Sequence, residues 1–175
     1  MMPENTDLPA EEAGDANPAP RQSERMFLVV VDQTEEMRTA LYFACRRALR
    51  TGGRVALLFV IEPPEFQHWL GVERVMEAEA REEAERTLQA MAQNVQAIVG
   101  KMPVLHLRQG RRRDELLSLI NEDPEISVLV VGTAAGHEDP GPLVTYLISQ
   151  MGGNMRVPVI LVPGQLSELE IDEVT

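Results

Sequence analysis

The sequence predicts an α/β domain built on a parallel sheet, and three observations carry that prediction. Five apolar runs of strand length, at residues 26–31, 55–61, 104–107, 126–131 and 157–163, alternate with four helical patterns. Each intervening pattern is long enough for the right-handed crossover that parallel strands require. The runs are also nearly continuous in Val, Ile and Leu, as strands covered on both faces are.

The elements follow in order. Residues 1–24 carry Pro3, Pro9, Pro18 and Pro20 among Glu, Asp, Ala and Asn with no apolar period, so a disordered acidic tail is expected there. The first strand, MFLVVV, stops at Asp32. The helix after it aligns Met37, Ala40, Leu41, Ala44, Cys45, Ala48 and Leu49 on one stripe; Arg46, Arg47 and Arg50 suit its C-terminal dipole, and Gly52-Gly53 ends it. Asp32, with Glu35 three positions on, fits an N-cap in a capping-box-like arrangement. The second strand, VALLFVI, runs into Glu62 and Pro63-Pro64, and the EPPEFQHWLG connection with Phe66, His68 and Trp69 suits a hydrophobic flap, a pocket cover or a partner surface.

One long amphipathic helix is expected next, with Val72, Met76, Ala80, Ala84, Leu88, Met91, Val95 and Ile98 inward and the pairs Glu77–Arg81 and Glu82–Arg86 on a solvated face. Val104, Leu105 and Leu107 mark the third strand, closed by Gly110. Arg111-Arg112-Arg113 then precede a helix carrying Leu116, Leu117 and Ile120, an odd place for cations, since a helix N-terminus is itself positive. Intramolecular pairing or solvation is the simpler reading; an anion or an acidic partner is the other. After the fourth strand, Leu143, Leu147, Ile148 and Met151 form a last helical stripe, stopped by Gly152-Gly153. Val157, Val159, Leu161 and Pro163 form the fifth strand, which Pro158 confines to a sheet edge by removing a donor. Residues 165–175 form an acidic tail with Leu166, Leu169, Ile171 and Val174, suited to folding on the domain or on a second subunit.

Composition narrows the function. At 175 residues the chain suits one domain, residues 25–164, with its two tails. The net charge of −12 divides evenly: residues 1–25 hold six acids and two arginines, residues 164–175 hold four acids and no base, and the rest is near −4. No basic stripe with aromatics appears, which argues against nucleic acid, and no apolar run approaches a membrane span. Without a secretory signal pattern at its start, a cytoplasmic location is expected. Cys45 alone forms no disulfide framework and reads as a buried structural thiol, while His68, His106 and His137 are too scattered for a metal site.

The stretch ISVLVVGTAAGHEDPGP, residues 126–142, joins a strand to a glycine-punctuated loop and then to a helix. Ligands of open α/β sheets sit at the carboxyl ends of strands, and Gly132, Gly136 and Gly141 with a helix N-terminus behind them suit a phosphate. The same glycines can serve only to turn the chain. A sheet of order 3-2-1-4-5 would set strands one and four side by side, with Asp32 and Gly132 flanking one crevice.

These residues resemble the universal stress protein family. The likeness lies in a first strand ending Val31-Asp32-Gln33-Thr34, a second running into Val60-Ile61-Glu62-Pro63, a fourth ending VVGT at residues 130–133 and a closing VPVILVP at residues 157–163. The resemblance spans about Met26 to Pro163. It implies an open doubly wound five-stranded sheet of order 3-2-1-4-5 with helices on both faces, and a homodimer through the last strand, from Val157 to Val162. It also implies, in one branch, ATP or another adenine nucleotide held by Val31, Asp32, Val60, Val131, Gly132, Gly136 and Gly141. Asp32 and Val60 would meet the adenine and ribose side and the glycine loop the phosphates.

That branch spaces its loop as Gly, two residues, Gly, about nine residues, then Gly with Ser or Thr. In this chain Ala135 stands at the second Gly with Gly136 one place late, and Gly141 arrives early, followed by Pro142. Pro142 offers neither hydroxyl nor N–H to a phosphate, and Glu138 and Asp139 would repel one. The expected function is a stress-response regulatory or adaptor module, with weak or lost nucleotide binding and possible protein partners. The alternative is an adenine-nucleotide sensor. An enzyme is not expected, since no GK[ST]-ended phosphate loop is present and no nucleophile–base pair can be assembled.

Overall fold

A computed structural model describes residues 24–63, 73–134, 140–150, 153 and 155–175. The expectations for the N-terminal tail apart from Glu24, for the flap with Phe66, His68 and Trp69, and for Val72, Gly136, His137, Glu138, Asp139 and Met151 lie outside those residues.

The described elements are β1 (Met26–Val30), α1 (Glu35–Thr51), β2 (Arg54–Ile61), α2 (Glu73–Val99), β3 (Val104–Gln109), α3 (Arg112–Glu122), β4 (Ile126–Thr133), α4 (Pro142–Gln150), β5 (Val159–Pro163) and α5 (Glu168–Val174). The five strands form one parallel sheet in the order β3-β2-β1-β4-β5, the expected doubly wound arrangement. β1 sits at its centre and is buried along its whole length. Alternate residues point to opposite faces. Met26, Leu28 and Val30 therefore join Leu116, Leu119 and Ile120 of α3 and Val144 and Leu147 of α4, while Phe27 and Val29 join α1 and α2 through Ala40, Ala44, Leu88 and Val95.

The helices refine the stripes read from spacing. α1 buries Met37, Ala40, Ala44, Cys45 and Ala48, and Gly52 ends it in the left-handed conformation at φ 68°. Leu49 and Ile148, expected inward, lie largely exposed; on α4 the buried pair is Val144 and Leu147. In α2, 27 residues long, the buried positions start at Ala84 and Met76 is exposed. The cause is length: 27 residues span about 40 Å of helix, more than the roughly 26 Å of an eight-residue strand, so the first turns overhang the sheet. Arg81 pairs with Glu85 rather than Glu77. β4 continues past the apolar run, which stops at Val131, to Thr133, with Gly132 in register with Val162 of β5.

The acidic C-terminal residues fold onto the domain. Ser167 and Glu170 form a reciprocal capping box that starts α5, and Ile171 is buried. The Asp172 carboxylate meets Arg46 at 2.6 Å and accepts from the Tyr42 hydroxyl at 3.2 Å, while Arg50 and Arg47 donate to the Asp172 and Thr175 carbonyls. Of the three arginines expected to answer the dipole of α1, only Arg50 lies in its last turn, and all three hold α5. On the other face, the Arg156 guanidinium donates to the carbonyls of Ile120, Asp123 and Ile126, tying the approach to β5 onto the C-terminal end of α3.

Candidate functional site

The carboxyl ends of β1, β2 and β4 meet the N-termini of α1, α3 and α4. Asp32 leaves β1 and folds its side chain back on the next turn: Oδ1 accepts from the Thr34 N–H at 2.9 Å and from the Thr34 hydroxyl at 2.7 Å. The Thr34 oxygen in turn accepts from the Met37 N–H at 3.2 Å. The N-cap of α1 is therefore Thr34, not Asp32 as its spacing to Glu35 suggested. Thr34 lies three residues before the amide it must satisfy, whereas Asp32 lies five before it and acts by fixing the cap. Its Oδ2 takes no part in this.

The arginine run resolves in the same place. Arg111 is the N-cap position of α3, and Arg112 and Arg113 lie in its first turn. Glu62, just past β2, accepts from the Arg112 backbone N–H at 3.2 Å through Oε1 and meets the Arg112 guanidinium at 3.2 Å through Oε2. One carboxylate thus satisfies a free helix N–H and neutralises the cation that the helix dipole disfavours. The other guanidinium nitrogen lies 3.9 Å from Asp32 Oδ2. Arg113 stands 5.1 Å from the centre of the Tyr146 ring, a cation–π contact that joins α3 to α4. Sequence spacing marked the arginines as out of place, but it could not say that Glu62 and Asp32 would meet one of them.

The glycines serve different ends. A Cβ on Gly132 would overlap the backbone carbonyl of Glu36, in the first turn of α1. A Cβ on Gly164, beyond β5, would come within 2.6 Å of Glu36 Cγ and 3.0 Å of the Thr133 carbonyl. Gly132 is thus the floor under α1. Gly141 has φ 95°, a conformation that favours glycine, and its carbonyl accepts from Thr145 at the start of α4. Pro142 is the first residue of that helix, where its missing N–H costs nothing structurally.

Of the remaining sequence-predicted positions, Val31 donates its N–H to the Leu58 carbonyl at 2.7 Å and is buried, as is Val131. Val60 lines a cavity of about 230 Å³ with Gln33 and Glu62 beyond the strand ends, Arg112 at the head of α3, and Ala80, Glu83, Ala84 and Thr87 from α2. This space lies on the β2 side of the site, whereas on the β4 side α1 closes down on Gly132. Ligand-binding clefts and cavities usually run from about 300 Å³ upward, so this space is smaller than most. Chemically, the site offers an apolar slot, a carboxylate oxygen free of the cap and a guanidinium. Cys45 is no nucleophile: it is buried under α1, and burial pushes its thiol up to about 12.

This order of strands, with a carboxylate at the end of the central one, defines a doubly wound α/β protein of the kind that binds ligands beyond its strand ends. A family model described as the Universal stress protein family matches residues 25–163, and the chain belongs to that family. Solved structures agree in fold. Universal stress protein UspA from Lactobacillus plantarum is 20% identical, with 80% of this chain and 97% of that one covered at a TM-score of 0.64. A universal stress protein family protein from Arabidopsis thaliana with AMP bound is 11% identical, covering 79% and 91% at 0.53. A universal stress protein in complex with cAMP is 14% identical, covering 80% and 97%, also at 0.53. No curated protein sequence matches this chain. α5 lies past the end of the family match.

Gly132→Ala separates packing from phosphate binding. It is expected to lower stability by about 1–3 kcal/mol or more in urea unfolding without ligand, because the added methyl meets backbone that cannot step aside. Wild-type stability in that variant would contradict the packing role.

Proposed function

We propose that this chain is a regulatory module of the stress response that takes an adenine nucleotide weakly, by its base and sugar, and acts without turnover. The observation that carries the reading is the division of Asp32: Oδ1 holds the start of α1, while Oδ2 is left for a ligand donor beside the cavity lined by Val60. AMP and cAMP in the two related structures support an adenine ligand. The phosphate side supports weakness, since Gly132 is committed to α1 and Pro142 brings no N–H.

Asp32→Asn tests this without disturbing the cap, because the amide oxygen still accepts from Thr34 while Oδ2 is replaced by a donor. Calorimetric titration with AMP should show wild-type binding and a loss of about tenfold to a hundredfold in the variant, the range for one hydrogen bond to a charged group. Equal affinities would remove Asp32 from the site, and absence of binding at millimolar AMP would remove nucleotide from the function.

A second reading, an adaptor working through protein contacts, is favoured by β5. It is an edge strand of the sheet, and Leu161 in it is 36% exposed. We propose a homodimer formed through Val157 to Val162, tested by sedimentation of the whole chain. Wild type should sediment as a dimer and Leu161→Glu as a monomer; a wild-type monomer at high micromolar concentration would overturn it.

A further inference from the structure

We infer that Arg112 is a latch on the ligand site, a cation that competes with the ligand for Asp32 and is itself held back by Glu62. The inference rests on the proposed nucleotide site and adds the residues that set its affinity. Three groups from three elements meet here: Asp32 after β1, Glu62 after β2 and Arg112 at the head of α3. Their distances are unequal. Arg112 sits 3.2 Å from Glu62, with a second tie through its backbone N–H, but 3.9 Å from Asp32 Oδ2.

The geometry therefore makes Glu62 the anchor and Asp32 the looser partner. The oxygen that Arg112 approaches is the one that Thr34 leaves unused, so a ligand hydroxyl or amine reaching Asp32 meets the guanidinium there as a competitor. Arg112 and Glu62 both line the cavity, which places the latch at its wall. Arg112 is about one-third exposed, so the contact it must give up is a weak, solvent-screened one. A latch of this strength tunes affinity and does not abolish it.

The two residues should then act in opposite directions. Arg112→Gln removes the competitor and should tighten adenosine and AMP alike by about two- to fivefold, the worth of a partly exposed ion pair. Glu62→Gln frees the guanidinium to move onto Asp32 and should weaken both by about the same factor. In the double variant the Glu62 effect should vanish, because no cation is left to release. Thermal unfolding of each variant without ligand keeps folding defects apart from affinity changes.

Other patterns would overturn the latch. If Arg112→Gln weakens AMP but not adenosine, the arginine is a phosphate ligand. If the Glu62→Gln loss persists in the double variant, Glu62 touches the ligand itself. Unchanged affinity in Arg112→Gln would leave the nucleotide site standing and remove the latch. Binding of neither probe to any of the four proteins would overturn both.

Discussion

The close approach of α1 to the end of β4 is the constraint on which the rest of the site depends. Glu36 can rest over Gly132 and Gly164 only because neither carries a Cβ, and that contact fixes where the helix begins. Once α1 starts at Glu35, Thr34 must cap it, and Asp32 must turn one oxygen to Thr34. The other oxygen is left near the strand ends, where Arg112 finds it. A packing contact between a helix and a strand thereby sets the chemistry of a carboxylate two residues beyond the neighbouring strand.

The two sides of the strand ends differ as a result. On the β2 side, the overhang of α2 beyond the sheet leaves an apolar slot under Val60 and Ala84, with Glu62 and Arg112 at its wall. On the β4 side, α1 packs its first turn directly on Gly132. The fold carries a small space at the end of β2, near the Asp32 oxygen that Arg112 approaches, and Gly132 is spent on packing. Arg113 on Tyr146 and Arg156 on the α3 carbonyls hold α3 against α4 and β5, so the latch residue stands on a braced helix.

Much of this was legible in the sequence. The apolar runs located all five strands, because a strand buried on both faces leaves no room for polar residues, and Gly52 was rightly placed at the end of α1. What periodicity could not settle was the edge of each stripe: Leu49 and Ile148 keep helical spacing but face outward, since spacing gives a face and not the width of the neighbour that covers it. The fifth helix was hidden by charge, though Ser167 and Glu170 already stood in capping-box register. Gly132 looked like a phosphate glycine because a close approach to a ligand and a close approach to a helix call for the same residue. Glu62 and Arg112 were each visible, 50 positions apart, but only the fold brings strand β2 and helix α3 to one point.

The central claim is that the site grips the base side of a nucleotide and not its phosphates, and a ladder of adenosine, AMP and ATP affinities, measured calorimetrically on the whole chain under one set of conditions, tests it most directly. The account predicts dissociation constants within about fivefold of one another, because Gly132, committed to α1, and Pro142, without an N–H, offer an added phosphate no charged hydrogen bond. ATP binding a hundredfold or more tighter than adenosine would mean that at least one such bond is made to the phosphates, and the division of the site drawn from Gly132 and Pro142 would be wrong.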